Sequence, residues 1–402
     1  MRHESVPLRL WATAFTAVSA DVVVIGLGAV GSATLYRLAR QGIQAIGIDR
    51  FHPPHDRGST HGESRITRLG VGEGHAYASL VRRSHEIWRE LEAETGEALM
   101  LRTGGLILGP QAGGTSHHGA ADFVGRSIAV ATANDVPHEV LDSAEMKRRY
   151  PQLGLRGDER GYFEPSAGVV LPERAVALQL RLAAQLGATL RLGEPVLSLA
   201  ETQGGVEIVT DQGRVNAGRV IMAAGAWLPG LAGLGAHAKV FRQASHWYAA
   251  DNAAAYAPDR FPVMLWIHGS AEHDYIYAFP SVDGATVKAA SERYSAPLDP
   301  DAVDRVVTPE ESAGIHSRYV AGRLLGVGSQ VVPAGTCLYT VTPDAGFLVD
   351  RMPGTSRVIV ASACSGHGFK HSPALGEALA GMATADEIPE SMAAFALERF
   401  AA

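Results

Sequence analysis

The sequence predicts an α/β chain in which a mostly parallel sheet is interrupted by an inserted, mostly antiparallel one. Three observations carry this. Near the amino end, an apolar run from Val22 to Ile25 leads into Gly26-x-Gly28-x-x-Gly31 and a helical pattern. From about residue 236 the texture changes to short, aromatic-rich strands, "ASHWYAAD", "FPVMLWIHG", "HDYIYAFPS" and "ATVKAASE". After Cys337 the strands "FLVD" and "RVIVASA", a glycine-rich turn and a helix from Pro373 to Ala383 restore the α/β alternation.

The first unit follows residue by residue. A continuous apolar run suits a strand buried on both faces. Gly26 permits the tight turn, Gly28 lets the backbone approach a pyrophosphate, and Gly31 lets the helix pack on the strand. Ala33 to Arg40 is helical in pattern, with Gly42 as its stop, and its amino end offers free N–H groups to phosphates. A second strand, Ala45 to Ile48, ends in Asp49, placed to accept from a ribose hydroxyl. The order strand, glycines, helix, strand, acid predicts Rossmann-type dinucleotide binding without choosing between FAD and NAD.

Further along, Ala76 to Glu94 is an amphipathic helix, with Leu80, Ile87, Trp88 and Leu91 at helical spacing. "TGGLILG" is a strand, Met146 to Gly154 contains a proline stop, and Arg174 to Gly187 is a helix. "ATLRLGEPVLSLA" gives two strands about a turn. A buried strand, Arg219 to Met222, then ends in Ala223-Ala224-Gly225, small residues that suit close approach of a cofactor. The expected domains are 21–98, 155–235 and 338–402 for the nucleotide, and 99–154 and 236–337 for the substrate.

Composition narrows the function. The chain has 402 residues, long enough for two domains, and 46% are hydrophobic. A net charge of -7 argues against nucleic acid as the partner. No 18-residue apolar run suggests a membrane span. Two cysteines, Cys337 and Cys364, form no disulfide framework and suit a reducing, cytoplasmic setting. The first 20 residues, "MRHESVPLRLWATAFTAVSA", carry a weak signal-peptide pattern interrupted by Thr13 and Thr16, and are expected to be a leader or an extension.

The loop "FHPPHDRGSTHGESRITRLGVGEG" follows the second strand and gathers His52, His55, His61, Arg57, Arg65 and Arg68. Pro53-Pro54 prevents a helical histidine pair, so metal binding is a poor reading. Arginines there suit a phosphate, a flavin or a substrate carboxylate. "CSGHGFKHS" sets Gly366, His367, Gly368 and Lys370 just before a helix, where N–H groups and a lysine can face an anionic ring. "YIYAFPSVDGATVKAASE" is a hairpin, with Tyr275, Tyr277 and Phe279 on one face and Lys288 and Glu292 sharing a face of the next strand.

Together these stretches resemble the monomeric sarcosine oxidase and N-methyltryptophan oxidase group of flavoproteins. The likeness runs from about Asp21 to the carboxyl end. It is carried by the strand-glycine-helix unit, "PPHDRGSTHGESRITR" with "GEG", "AAGAW", "YAFP", "CLYT" and "SGHGFK". The resemblance implies FAD, held through a thioether from Cys337 to the flavin 8α-methyl group, whereas Cys364 matches no attachment position. It implies cofactor contacts at Gly26, Gly28, Gly31, Asp49, Ser59, Ala224, Gly225, Trp227, Gly366, His367, Gly368, Phe369 and Lys370. His61 and Arg65 should lie near one flavin face. Lys288 should lie on the side opposite the substrate pocket, over N5, where its charge stabilises developing superoxide. Arg68 and Lys370 should bind a substrate carboxylate, with Tyr277 lining the same pocket.

One position departs from the family. Its well-known members carry histidine four residues beyond that lysine, and here Glu292 stands there. An acid repels a carboxylate and attracts a cation, so the amine is expected to differ from sarcosine. The implied activity is oxidation of a secondary amine, an N-methyl amino acid, to an imine that hydrolyses, with O₂ reduced to H₂O₂. A monomer is expected. The alternatives are an FAD dehydrogenase using another acceptor, an NAD-dependent oxidoreductase, and a non-catalytic flavin-binding protein.

Overall fold

Residues 22–25 are buried on both faces, as a central parallel strand requires. Val22 and Val24 pack into the apolar cluster with the helices, Val23 and Ile25 into the cluster beneath. These residues belong to β1, Val18–Ile25, in a computed structural model that describes residues 18–111, 116–117, 120–271, 273–385 and 387–401. The expected leader therefore lies outside the described residues up to residue 17, and residues 18–20 belong to β1, three residues before the start expected at Asp21.

Helix α1 spans Ala29–Arg40 and begins inside the glycine fingerprint, four residues earlier than expected, because Gly28 serves as its N-cap. Gly26 has φ 87°, and a Cβ on Gly31 would fall 1.7 Å from the Gly26 carbonyl oxygen. Both positions require glycine. β2, Ala45–Asp49, lies parallel to β1. The sheet runs Thr189–Leu192, β2, β1, Gly213–Met222, Gly205–Thr210, Val196–Thr202. Its first four strands are parallel, and Val358–Ser362 adds another parallel strand beside residues 220–222. The two strands of "ATLRLGEPVLSLA" lie at opposite edges rather than forming a hairpin.

The second sheet has the order Val327–Val341, Lys239–Ala250, Thr286–Ala290, Tyr275–Ala278, Val263–Ile267, Gly105–Pro110, Glu159–Glu164, Glu139–Asp142. Its one parallel pairing joins Val263–Ile267 to Gly105–Pro110. Strand Glu159–Glu164 pairs here, Tyr162 opposite Ile107, so the boundary expected at 155 falls one strand too early. The carboxyl ends of β1 and β2 face the second sheet across a large cavity, the usual ligand crevice of an open parallel sheet. Among the described residues, no helix is long and apolar enough to cross a membrane.

Candidate active site

The cavity measures about 1250 Å³. Its wall includes Gly26, Gly28, Asp49, Ser59, Arg65, Arg68, Ala224, Gly225, Trp227, Tyr277, Glu292 and the run from Gly366 to Lys370. Gly31, His61, Lys288 and Cys337 are not on this wall. Gly31 lies against the Gly26 carbonyl, and Cys337 and Lys288 are buried.

The dinucleotide cradle fits its expected ligand. A Cβ built on Gly28 would meet only Thr60 Oγ1, at 3.5 Å, so the backbone there is open to a phosphate. Asp49 accepts from the backbone N–H of Leu27 at 2.7 Å and of Phe51 at 2.8 Å, which fixes it at the tip of β2. Burial nevertheless pushes its carboxyl pKa up. Trp227 donates from Nε1 to Asp301 at 2.9 Å and meets Phe51 edge-on.

The loop after β2 builds the next part. Gly62 and Glu63 both have positive φ, 92° and 68°. Their N–H groups donate to Glu173 Oε1 at 2.6 and 3.1 Å. That turns the loop carbonyls toward Lys288, whose Nζ donates to Gly62 O at 2.6 Å, Ser64 Oγ at 3.1 Å and Ser64 O at 3.2 Å. The rings of Phe279 and Trp247 lie 4.7 and 5.0 Å from this ammonium. Burial, then the charge of Arg65, lowers the Lys288 pKa to about 7.

Arg65 donates to Ser59 O at 2.6 Å and Ser64 O at 2.7 Å. Lys288 Nζ and an Arg65 nitrogen both lie within 4 Å of where a Gly62 side chain would begin. Lys288 is thus beside Arg65, its ammonium drawn there by the loop oxygens. His61 is half-buried and its pKa is lowered to about 4, by burial and then by Arg65. Cys337 is 7% exposed; burial pushes its thiol up, while Arg65 and Lys288 pull it down. Ser59 Oγ donates to Leu338 O, tying the loop to the cysteine strand. Both cysteines are free.

A cationic corner forms between the loop and the "SGHGFK" turn. Arg68 donates from NH2 to both oxygens of Glu73, at 2.9 and 3.0 Å. Lys370 donates to Glu73 Oε1 at 3.0 Å and to His367 O at 2.9 Å. The two cations expected to share a substrate carboxylate therefore already share an internal one. Burial lowers the Lys370 pKa to about 8, with Glu73 opposing.

Glu292 is 3% exposed and accepts from the Tyr294 hydroxyl. Its charge, after burial, holds the Tyr275 and Tyr294 hydroxyl pKa values well above normal. Tyr277 faces the same cavity, and Tyr339 beside it hydrogen-bonds Tyr277. The strand "SHWYAA" turns Trp247 to Lys288 and puts His246 against Ser312. Among the described residues, no group of His, Cys, Asp or Glu is arranged to hold a metal.

Four residues escaped the sequence reading: Glu73, Glu173, Tyr294 and Tyr339. Tyr339 lies two residues beyond Cys337, on the same strand face, which was a usable signal. Glu173 reaches the loop from 111 residues away, and nothing local announces it.

Residues 21–382 match the family described as FAD dependent oxidoreductase. Monomeric sarcosine oxidase of Streptomyces avermitilis is 35% identical over 387 residues, covering 95% of this chain and 98% of that one. N-methyl-L-tryptophan oxidase of Yersinia pestis is 32% identical over 388 residues, covering 94% and 99%. Among solved structures, NikD, an unusual amino acid oxidase essential for nikkomycin biosynthesis, superimposes with a TM-score of 0.81 at 25% identity, covering 94% of this chain and 98% of that one.

Proposed function

Because the chain belongs to the FAD dependent oxidoreductase family, we propose that it oxidises a secondary amine, an N-methyl or related N-substituted amino acid, with O₂ as acceptor. The observation that carries this is the pair of buried cations, Arg68 and Lys370, on the wall of the cavity that Gly28 opens into. A carboxylate bound by both is fixed in register, and so is the carbon beside its amine.

FAD, when bound, supplies the two-electron acceptor that is reoxidised by O₂ to give H₂O₂, and the imine product hydrolyses in water. This chain's residues do the rest. Arg68 and Lys370 exchange their contact with Glu73 for the substrate carboxylate. Their charge lowers the pKa of the nearby substrate ammonium and favours the neutral, reactive amine. Tyr277 and Tyr339 wall the pocket. Lys288, held by the Gly62–Ser64 oxygens, supplies positive charge where oxygen is reduced. Cys337 would hold FAD through a thioether; burial raises its thiol pKa, and the charges of Arg65 and Lys288 oppose that rise.

In this reading the parallel sheet binds the cofactor and the second sheet, with strand Glu159–Glu164 added, binds the substrate. The two free cysteines fit a monomer in a reducing cytoplasm. The test is acid precipitation of the purified protein, followed by a peroxide assay across secondary amines. Yellow in the washed pellet and peroxide from an N-methyl amino acid are expected. Dye reduction without peroxide would make it a dehydrogenase, and flavin only in the supernatant would remove the role of Cys337.

A further inference from the structure

Glu173 stands in the first turn of the helix Pro172–Gln185. An acid there ordinarily faces the N–H groups of its own helix. This one reaches outward, to the loop after β2. Strand Gly168–Val170 pairs antiparallel with Arg65–Thr67, Val170 opposite Arg65. The same register carried onward sets Glu173 opposite Gly62. Its Oε1 accepts from the N–H groups of Gly62 and Glu63, at 2.6 and 3.1 Å. Two successive N–H groups on positive-φ backbone, 92° and 68°, form a concave seat for an anion. The Gly62–Glu63 peptide group is held at both ends. Its N–H donates to Glu173, and its carbonyl accepts from Lys288 Nζ at 2.6 Å. In a trans peptide these two groups point in opposite directions, so one plane joins a carboxylate to an ammonium. The peptide dipole is aligned with both charges, and each bond strengthens the other. Ser64 Oγ and O complete the ammonium's acceptors at 3.1 and 3.2 Å. On the far side of the turn, Trp247 donates to Glu63 Oε2 at 3.0 Å.

We infer that Glu173 is a positioning residue for Lys288: through the Gly62–Glu63 peptide it fixes where the ammonium stands and keeps it charged. The inference rests on the oxygen role given to Lys288 above and names the group that sustains it. Without the carboxylate, two adjacent N–H groups lose their acceptor, and Glu63 loses a contact that offsets its positive φ. The turn then relaxes, and the Gly62 and Ser64 oxygens move off the ammonium. The charges around Lys288 give the carboxylate a second part. Arg65 opposes the ammonium, whereas Glu173 and Glu63 support it, and Cys337 does so only as a thiolate. His61 stands nearby uncharged at neutral pH, its pKa lowered to about 4. A sulfur bonded to flavin carries no charge, which leaves Glu173 as the chief anionic support of Lys288 in the loaded protein.

Two variants of the flavin-loaded protein separate position from charge. Glu173→Gln keeps an oxygen for both N–H groups and removes the charge; Glu173→Ala removes both. The lysines are Lys147, Lys239, Lys288 and Lys370, so carbon-13 labelling at lysine Cε gives a simple spectrum, in which Lys288→Met assigns the Lys288 signal. In Glu173→Gln that signal should titrate lower by about half a pH unit or more. The slowing of O₂ reoxidation should move down with it, while the rate at about pH 6 stays within about twofold of wild type. In Glu173→Ala, reoxidation should slow by about tenfold or more even at that pH, with anaerobic reduction by substrate changed less than about twofold. An unmoved Lys288 titration in Glu173→Gln, unchanged reoxidation in Glu173→Ala, or equal slowing of both half-reactions would overturn the inference. The titration in the isosteric Glu173→Gln decides the matter even if Glu173→Ala does not fold. Reoxidation at the wild-type rate in Lys288→Met would sink the oxygen role of that lysine, while the titration still judges Glu173.

Discussion

Cys337, Lys288 and Arg68 each carry a separable consequence. Cys337→Ala should leave all flavin in the supernatant after acid precipitation; flavin retained in the pellet would place the link elsewhere. Lys288 is held near a pKa of about 7, so its charge is lost as pH rises through that value. Reoxidation by O₂ should therefore slow above pH 7. Lys288→Met should remove that dependence and slow reoxidation by about a hundredfold, the usual effect of deleting one charge-stabilising donor. Stopped-flow measurement of both half-reactions checks this, since equal slowing of anaerobic reduction would deny the oxygen role. Arg68→Ala should weaken binding of carboxylates by about tenfold or more while leaving amines without one little changed; uniform weakening would contradict the assignment. Arg68 was legible because it sits in a short run of unusual residues, "THGESRITR", and Cys337 because the chain has only two cysteines. Their mutual geometry was not. Lys288 joined Arg65 because Glu173, remote in sequence, turns the Gly62–Glu63 backbone toward it.

Helices and strands were legible wherever a local rule acts alone. The apolar run of β1 and the glycines of the first turn are such cases, since a Cβ at Gly31 is sterically forbidden whatever surrounds it. Other elements answer to partners far along the chain. Glu159–Glu164 joins the second sheet because Gly105–Pro110 and Glu139–Asp142 offer it free edges. Nothing within its six residues says which sheet will claim it. The closing helix Ser372–Ala385 shows the same dependence. It lies on α1 so closely that a Cβ on Gly376 would stand 2.6 Å from the Ala33 carbonyl carbon and from Ala33 Cβ. Gly376→Ala should thus push the helix off α1 and cost roughly 1–3 kcal/mol, the range for overpacking a core. Thermal unfolding should fall by several degrees, and flavin content should fall with it, since this helix follows directly on the Gly366–Lys370 turn. An unchanged melting temperature would mean the two helices slide without cost.

At the scale of the whole molecule, the buried histidines set the response to acid. Burial is the first cause of the lowered pKa in His61, His85, His246 and His268, each brought to about 4, and in His371, which is lowered further. They lie in different parts of the fold: His85 on the helix Ala78–Thr95, His246 in the second sheet, His371 behind the glycine-rich turn. In the unfolded chain all would titrate near 6.5. Between pH 6.5 and 4 the unfolded chain therefore binds protons that the folded one refuses, so stability falls as pH drops through that window. For a fully buried case such as His246, the loss is on the order of 3 kcal/mol at about 1.4 kcal/mol per pKa unit. Several such groups together approach the net stability of a domain. Carboxylates held low by ion pairs, such as Glu311 beside Arg242, act only further down, below the ordinary glutamate value of 4.5. The melting temperature should thus drop steeply between pH 6.5 and 4.5, before carboxylate protonation begins to dominate. His246→Gln keeps a hydrogen-bonding group near Ser312 but does not titrate, and should flatten part of that drop. A melting temperature that holds steady to pH 4.5 would mean these imidazoles gain protons in the fold as readily as outside it, against their burial.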